Sequence, residues 1–437
     1  MSRYHLVTLG CPKNEVDSDK LAGRLTADGL AATDDPGDAD LVVVNTCAFI
    51  EDARQESVDT ILALAVAKAD GARLVVTGCL AARYRDELAD ALPEVDLVAG
   101  FGDELQSSPA GAAAPARSTG TATATATAVR IGPGPAAAIP AFDLLNLPRP
   151  RATRPWAYVK VAEGCDRACG FCAIPSFRGP QRSRSIDAIL EEVEALAAPE
   201  IVLVAQDLAA FGRDQGVGER SIVTLVAAVA ERVRRTRLLY LYPSDLSDSL
   251  IDAIGATGVP YFDLSLQHVS PSLLRRMRRW GNGDRFLGRI GDIRAREPEA
   301  AFRSNFIVGY PGETEGDHDH LLRFVTEAEV DWCGFFAFSP EEGTYAAELD
   351  GHVDDGLVAE RLAELSELQD AITARKRDRL VGQRVEVLVD APGIARSHRE
   401  APEIDGIINV PRDVPPGTFA NLTVTGSLGP DLEAARP

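Results

Sequence analysis

Short apolar runs of strand length recur along this chain, and helical patterns fill the gaps between them. In the first hundred residues the runs are Tyr4–Leu9, Leu41–Asn45 and Leu74–Thr77, alternating with helical stretches over Lys13–Asp28, Glu51–Ala67 and Ala81–Leu92. Strands separated by helices need crossover connections, so this pattern predicts α/β architecture with a parallel sheet. From Trp156 the rhythm returns with six more strands: Ala157–Val161, Ile201–Ala205, Leu238–Tyr242, Tyr261–Leu266, Phe302–Val308 and Trp332–Phe338. Six such units fit a partial (β/α)6 barrel, shorter than the closed eight-unit form. A charged helix is predicted near Asp354–Leu380. After Gly382, the segments Val385–Val389, Asp405–Val410 and Ala420–Val424 lie between glycines and prolines and predict a small all-β module.

Composition breaks this rhythm once. From Gln106 to Pro140, 29 of 35 residues are Ala, Thr, Gly, Pro or Ser, including the run TGTATATATA. Such a stretch buries too little apolar surface to offset the entropy of ordering it. The expected organisation is therefore an α/β domain over 1–105, a linker over 106–150, the barrel with its trailing helix over 151–380, and the β module over 381–437. No run approaches the roughly 20 apolar residues of a spanning helix. The start, MSRYHLVTLG, has no basic stretch followed by an apolar one, so a cytoplasmic location is expected. The formal net charge of −21 disfavours broad attraction to phosphate backbones or anionic lipid.

Seven cysteines are too few for a disulfide scaffold. Cys165, Cys169 and Cys172 fall within GCDRACGFC, just after the first barrel strand. Three thiolates so close can converge on one metal centre, and in a (β/α) barrel this loop opens on the active face. The alternatives are a zinc site lacking one ligand, or core thiols. Cys11, Cys47 and Cys79 are 36 and 32 residues apart, and each follows a strand: LVTLGC, VVVNTC and VVTGC. The carboxyl ends of successive parallel strands share one edge, so these three either converge there or are three buried thiols. Cys333, inside DWCGFFAF, reads as core packing.

The segment GCDRACGFCAIPSFRGPQRSR resembles the cluster motif of radical S-adenosylmethionine enzymes, and its continuation IPSFRGPQRSR resembles that of the methylthiotransferases. That family combines an amino-terminal domain with three cluster-binding cysteines, a radical barrel and a carboxy-terminal TRAM module. GCPKNEVDSD, LYPSDLSD, LSLQHVS, EEGTYAAEL and APEIDG look like its RimO-type branch, which modifies an aspartate of the twelfth protein of the small ribosomal subunit. The Ala/Thr insert and the loose AQDLAAFG segment depart from the pattern. The resemblance implies two 4Fe-4S clusters, one on Cys165, Cys169 and Cys172 and one on Cys11, Cys47 and Cys79. It also implies S-adenosylmethionine used twice, once as radical source and once as methyl donor, and an electron donor such as flavodoxin or ferredoxin.

Other site residues are expected at strand ends. Gln206 and Asp207 end the second barrel strand and are placed against the cofactor, Gln267 and His268 end the fourth, and Gly309 and Gly312 in NFIVGYPGET allow close backbone approach. His318 and His320 read as a solvated helix face. A transfer-RNA methylthiotransferase and an iron–sulfur relay are the rival readings. A relay would complete four-cysteine coordination at each cluster. From Leu380 to Pro437 the chain carries five Arg, no Lys and eight Asp or Glu, a balance that suits a basic protein over RNA. In the RNA reading, Arg396 and Arg399 are the residues that would grip phosphate.

Overall fold

Residues 1–105, 142–216 and 220–437 are described by the computed structural model of the chain. They divide into one unit of Met1–Ala48 with Ala53–Pro148 and another of Phe49–Asp52 with Arg149–Pro437. The Ala/Thr run lies outside the described residues.

The first unit is built on strands β1 (Arg3–Thr8), β2 (Ala31–Ala32), β3 (Leu41–Thr46), β4 (Arg73–Gly78) and β5 (Leu97–Val98), in the order β2-β1-β3-β4-β5 and parallel throughout. Every residue of β3 is buried, as a parallel strand covered on both faces requires, and this explains its unbroken LVVV run. Helices α1 (Pro12–Ala27), α2 (Glu51–Ala67), α3 (Cys79–Arg83) and α4 (Arg85–Ala91) connect the strands. The single helix expected over Ala81–Leu92 is broken at Tyr84, whose N–H closes α3 on Leu80 while its ring lies under the Arg83 guanidinium. Phe142 and Leu144 are buried with Leu21 of α1, and Lys20 donates to the Leu145 carbonyl at 2.5 Å. This stretch, expected as linker, packs with the first unit. The order of strands reverses between β1 and β3, which opens a crevice at their carboxyl ends.

The second unit begins with β6 (Trp156–Lys160) and an antiparallel pair, β7 (Ala162–Glu163) with β8 (Arg182–Ser183), that brackets helix α5 (Ile174–Arg178). Then come α6 (Ile186–Leu196), β9 (Glu200–Val204), α7 (Arg220–Ala230), β10 (Arg235–Leu238), α8 (Asp248–Gly255) and β11 (Tyr261–Gln267). α9 (Pro271–Arg276), α10 (Gly283–Arg296), β12 (Ala301–Val308), α11 (Glu315–Ala328), β13 (Trp332–Ala337) and α12 (Asp355–Asp378) follow. Parallel pairing runs β6–β9–β10 and β11–β12–β13, and the two halves meet at a parallel bridge between Leu241 and Leu264. Six parallel strands in chain order are the expected partial barrel. Its core includes Val159, Leu203, Leu238, Phe262, Phe302 and Phe306, closed by the apolar stripes of the outer helices.

Strand β10 lies three residues earlier than the sequence predicts and shares only Leu238 with the strand expected over Leu238–Tyr242. Arg235, Thr236 and Arg237 do not read as strand, yet all are buried, because acids and carbonyls neutralise the two arginines. Arg237 pairs with Glu200 at 2.9 Å with both side chains fully enclosed.

The last module is a closed barrel of β14 (Arg384–Ala391), β15 (Ile394–Arg396), β16 (Ile408–Asn409), β17 (Phe419–Leu428) and β18 (Asp431–Ala435), in the order β14-β15-β16-β18-β17. β15 and β18 were not expected, and the strand expected over Asp405–Val410 shortens to two residues. Residues 396–405 instead cover the amino-terminal ends of the (β/α) strands. Tyr158 donates to the Pro402 carbonyl at 3.0 Å, Trp332 to Arg399 at 2.6 Å, and Tyr261 to the Asp405 carboxylate at 2.6 Å. Among the described residues, no helix is long and apolar enough to cross a membrane.

Candidate functional site

The first site grows out of the strand order of the first unit. Cys11, Cys47 and Cys79 follow β1, β3 and β4, three neighbours in the sheet, and Cys47 and Cys79 come directly after the paired residues Thr46 and Gly78. Cys11 is the N-cap of α1, with Pro12 at its first turn, where the helix dipole favours a thiolate. The three loops pack tightly. A Cβ on Gly10 (φ 96°) would lie 2.8 Å from Cys47 Sγ, and one on Gly78 (φ 93°) would lie 2.3 Å from Asn45 Oδ1 and 2.5 Å from the Thr46 carbonyl. Only glycine fits these turns. Ser57 of α2 accepts from the Cys47 N–H at 3.1 Å and donates to the Cys47 carbonyl at 3.0 Å. Cys79 donates its S–H to Asn14 Oδ1 at 3.7 Å.

The second site lies at the carboxyl ends of the barrel strands. The loop carrying Cys165, Cys169 and Cys172 leaves β7 and is held at both ends: Cys165 N–H donates to the Gly179 carbonyl at 3.1 Å and Gly170 N–H to Met277 at 2.8 Å. Burial pushes the Cys165 thiol up to about 11 and the Cys172 thiol up to about 12, with the neighbouring cysteines adding to both. The three sulfurs are therefore close enough to feel one another. Burial alone would raise the Glu163 carboxyl just before this loop, but the Arg178 and Lys160 cations hold it well below the usual carboxylate range. Glu163 binds Lys160 at 2.7 Å and Arg178 at 2.8 Å, and so ties the cysteine loop to both β6 and the SFRG turn.

Sequence reasoning missed the cations around this loop. Arg279 donates to Cys169 Sγ at 3.2 Å and to the Ser265 carbonyl. Its guanidinium and that of Arg167 both lie against the Tyr242 ring, 4.2 and 3.9 Å from the centroid. Arg167 in turn pairs with Asp207 at 2.6 Å and with Asp245. Arg167 sits inside the cysteine motif itself. Arg279 is 110 residues from Cys169, and no local signal links them.

The remaining expected residues divide into three groups. Gln206 donates to Glu163 at 3.0 Å, and Asp207 holds Arg167. Gln206 Oε1, Asp207 Oδ1 and Asn305 Oδ1 are buried acceptors without a partner among the described residues. Unpaired buried acceptors call for a donor. Gln267 (φ 69°), the last residue of β11, and Tyr240 (φ 65°), two residues past β10, hold left-handed backbone, strain of the kind that gathers at functional edges. His268 is fully buried, its Nδ1 accepts the Ser270 N–H at 3.0 Å, and burial pushes it down to about 3, so it is neutral. Gly309 lies beneath Val358 of α12, and Gly312 lies against Arg276. His318 corrects the expected solvated face: it is buried and meets Glu364 of α12 at 2.9 Å, because α12 covers this side of α11.

Among the described residues, no three His, Cys, Asp or Glu side chains already meet at a point suited to a single metal ion. A cluster spreads its thiolates over separate irons, so its ligands need no common point. What fits a cluster here is the chemistry of each set: three thiols on one strand-end edge, with a cation at Cys169 and a helix N-terminus at Cys11.

Three family models match along the chain: Uncharacterized protein family UPF0004 over residues 3–100, Radical SAM superfamily over 159–325, and TRAM domain over 381–436. Ribosomal protein uS12 methylthiotransferase RimO of Cutibacterium acnes is 42% identical over 471 residues, covering 99% of this chain and 97% of the relative. The proteins of that name from Streptomyces coelicolor and Moorella thermoacetica are 42% and 41% identical, each over at least 95% of both chains. Among solved structures, the radical S-adenosylmethionine methyltransferase TsrM from Kitasatospora setae aligns with a TM-score of 0.50 and 14% identity, over 87% of this chain and 91% of that one, a likeness of fold. With both cysteine triplets on strand-end edges and relatives of this similarity over its whole length, the chain belongs to the radical S-adenosylmethionine methylthiotransferases, in their RimO-type branch.

Proposed function

We propose that this chain methylthiolates ribosomal protein uS12, at the β-carbon of an aspartate, and that its two cysteine triplets each hold a 4Fe-4S cluster. The observation that carries the reading is the pairing, in one chain, of two sets of three free thiols, each one short of the four that would complete a four-iron cluster. When bound, the cluster at Cys165, Cys169 and Cys172 together with S-adenosylmethionine supplies hydrogen abstraction from an unactivated carbon, which acid–base chemistry does not provide. The chain's own residues do the positioning. Glu163, fixed between Lys160 and Arg178, sets the cysteine loop, and Gln206 and Asp207 offer their unpartnered oxygens to an ammonium donor such as that of S-adenosylmethionine. Arg279 places positive charge at Cys169, where it stabilises added negative charge. The reading implies a cytoplasmic location beside the ribosome and an electron donor of flavodoxin or ferredoxin type.

The TRAM module favours a protein substrate over transfer RNA. Arg396 is buried between Glu200 at 3.1 Å and Asp390 at 2.5 Å, and Arg399 is paired with Glu299. The two arginines that an RNA reading would use are therefore committed to holding the module on the barrel. Arg436 pairs with Asp413 at 2.7 Å, and Arg384 and Arg412 are exposed. This is a sparse set for phosphate recognition. The test is competitive modification by the reconstituted chain of purified uS12 and of transfer RNA carrying isopentenyladenosine, read by mass spectrometry. A methylthio group on an aspartate of uS12 with unmodified transfer RNA is expected. Modified nucleoside with untouched protein overturns the assignment.

A further inference from the structure

Three cysteines on three separate strands form one site only if something fixes the strand-end loops against each other. One side chain contacts all three. Asn14, fully buried in the first turn of α1, donates from a single Nδ2 to the Leu9 carbonyl at 2.8 Å and to the Thr46 carbonyl at 3.0 Å. Leu9 lies two residues before Cys11, and Thr46 directly precedes Cys47. The same carboxamide's Oδ1 faces Cys79 Sγ at 3.7 Å. Its backbone N–H donates to the Cys11 carbonyl at 2.8 Å, and its backbone carbonyl accepts from Asn45 Nδ2 at 2.8 Å. Behind it, Asn45 and Thr8 both donate to Ser18 Oγ, at 2.9 and 2.6 Å.

We infer that Asn14 is the positioning residue of the amino-terminal site, holding the Cys11, Cys47 and Cys79 loops in the arrangement that accepts a cluster. The inference rests on reading those cysteines as cluster ligands. The chemistry of the residue is specific. Two carbonyls on adjacent loops must receive protons from one short side chain, and a carboxamide carries two N–H donors on one nitrogen. Aspartate has the same shape but only acceptors, so it would set its oxygens against both carbonyls. Glutamine would carry the amide one methylene past the Leu9 and Thr46 carbonyls, which Asn14 already reaches at 2.8 and 3.0 Å. Residues that orient metal ligands in this way matter to retention of the metal, and their loss costs about 10- to 100-fold in affinity.

The test uses the full chain carrying Cys169→Ala, so that iron bound after anaerobic reconstitution reports the amino-terminal site. In that background Asn14→Asp and Asn14→Ala are compared with Ser18→Ala, which trims the same polar network away from the cysteines. Iron and sulfide per chain, the electron paramagnetic resonance signal of the reduced cluster and apoprotein unfolding are measured for each. The expected result is that all three variants stay folded, that Ser18→Ala keeps its iron and signal, and that both Asn14 variants lose iron about 10-fold faster to a chelator or fail to load. In the otherwise unmodified chain, Asn14→Asp should still cleave S-adenosylmethionine. Asn14 variants that load and hold iron like the parent, with an unchanged signal, overturn the inference while leaving the cluster reading intact. Equal iron loss in Ser18→Ala reduces Asn14 to a structural residue and also overturns it. A Cys169→Ala parent that binds no iron overturns the cluster reading itself.

Discussion

Cys47 and Cys169 belong to different units and are oriented by different neighbours, Cys47 by the Ser57 hydroxyl and Cys169 by the Arg279 guanidinium. Their losses should therefore separate two functions that a single active site would lose together. Cys169→Ala should abolish 5′-deoxyadenosine formation and leave about half of the reconstituted iron in place, that of the other triplet. Cys47→Ala should keep reductive cleavage of S-adenosylmethionine and form no methylthiolated product. Iron content, 5′-deoxyadenosine by chromatography and product mass check both variants together. If Cys169→Ala empties the whole chain of iron, the two-site reading fails. If Cys47→Ala still forms product, that thiol is packing. Arg279 shows why residue-scale function is hard to read in sequence: the cation next to a cluster ligand comes from the turn after α9, and only folding brings it there.

Strand ends do most of the positioning, and at β4 the geometry leaves no room. Gly78→Ala must move both the Asn45 side chain and the Thr46 backbone, in addition to straining a residue at φ 93°. Gly71 is the control: its φ of 80° is equally left-handed, but a Cβ there meets nothing within 4 Å. Gly71→Ala should cost only the backbone term, about 1 kcal/mol, whereas Gly78→Ala should cost a few kcal/mol more and release iron from the first site. Equal denaturation midpoints for the two variants would show that β3 gives way freely. The parallel sheet, the six-strand barrel and the places of all six cysteines were legible because apolar runs and helical periods carry that information locally. The failures have a common cause in tertiary pairing. Arg235 and Arg237 hide the start of β10 because Glu200 and Glu386, far away in sequence, neutralise them. His318 looked solvated because α12, which covers it, is some forty residues further on. β15 and β18 are short and depend on neighbours in the closed module, with little apolar pattern of their own.

At the scale of the whole second unit, the TRAM module closes the end of the barrel opposite the cysteine loop, and it does so with buried charge. Glu400 is drawn down to about 2: burial opposes its ionisation, but Arg377 and Ser397 outweigh that cost. Such a group stabilises the fold above its unfolded value near 4.5 and loses that contribution as pH falls through 2. Asp405 has the opposite sign. Burial pushes it up to about 6 from its ordinary 3.8, against the pull of Arg303 at 3.4 Å and the hydrogen bond from Tyr261. Its contribution is fully present below pH 3.8 and is lost as pH rises through about 6, because the folded chain then holds an anion it would sooner keep protonated. Asp405→Asn keeps an acceptor for Tyr261 and for the Ala401 N–H and removes the titration. Between about pH 4 and pH 7 the variant should therefore gain stability relative to the parent, by up to about 3 kcal/mol, on top of a pH-independent offset from setting an amide in place of the neutral carboxyl. Denaturant unfolding of the apoprotein across that range, monitored by Trp156 and Trp332 fluorescence, reads the difference directly. Both tryptophans are buried in this half of the molecule, and Trp332 donates to the module itself. Parallel pH profiles for parent and variant would show that Asp405 is ionised throughout and that Arg303 outweighs the cost of burying it.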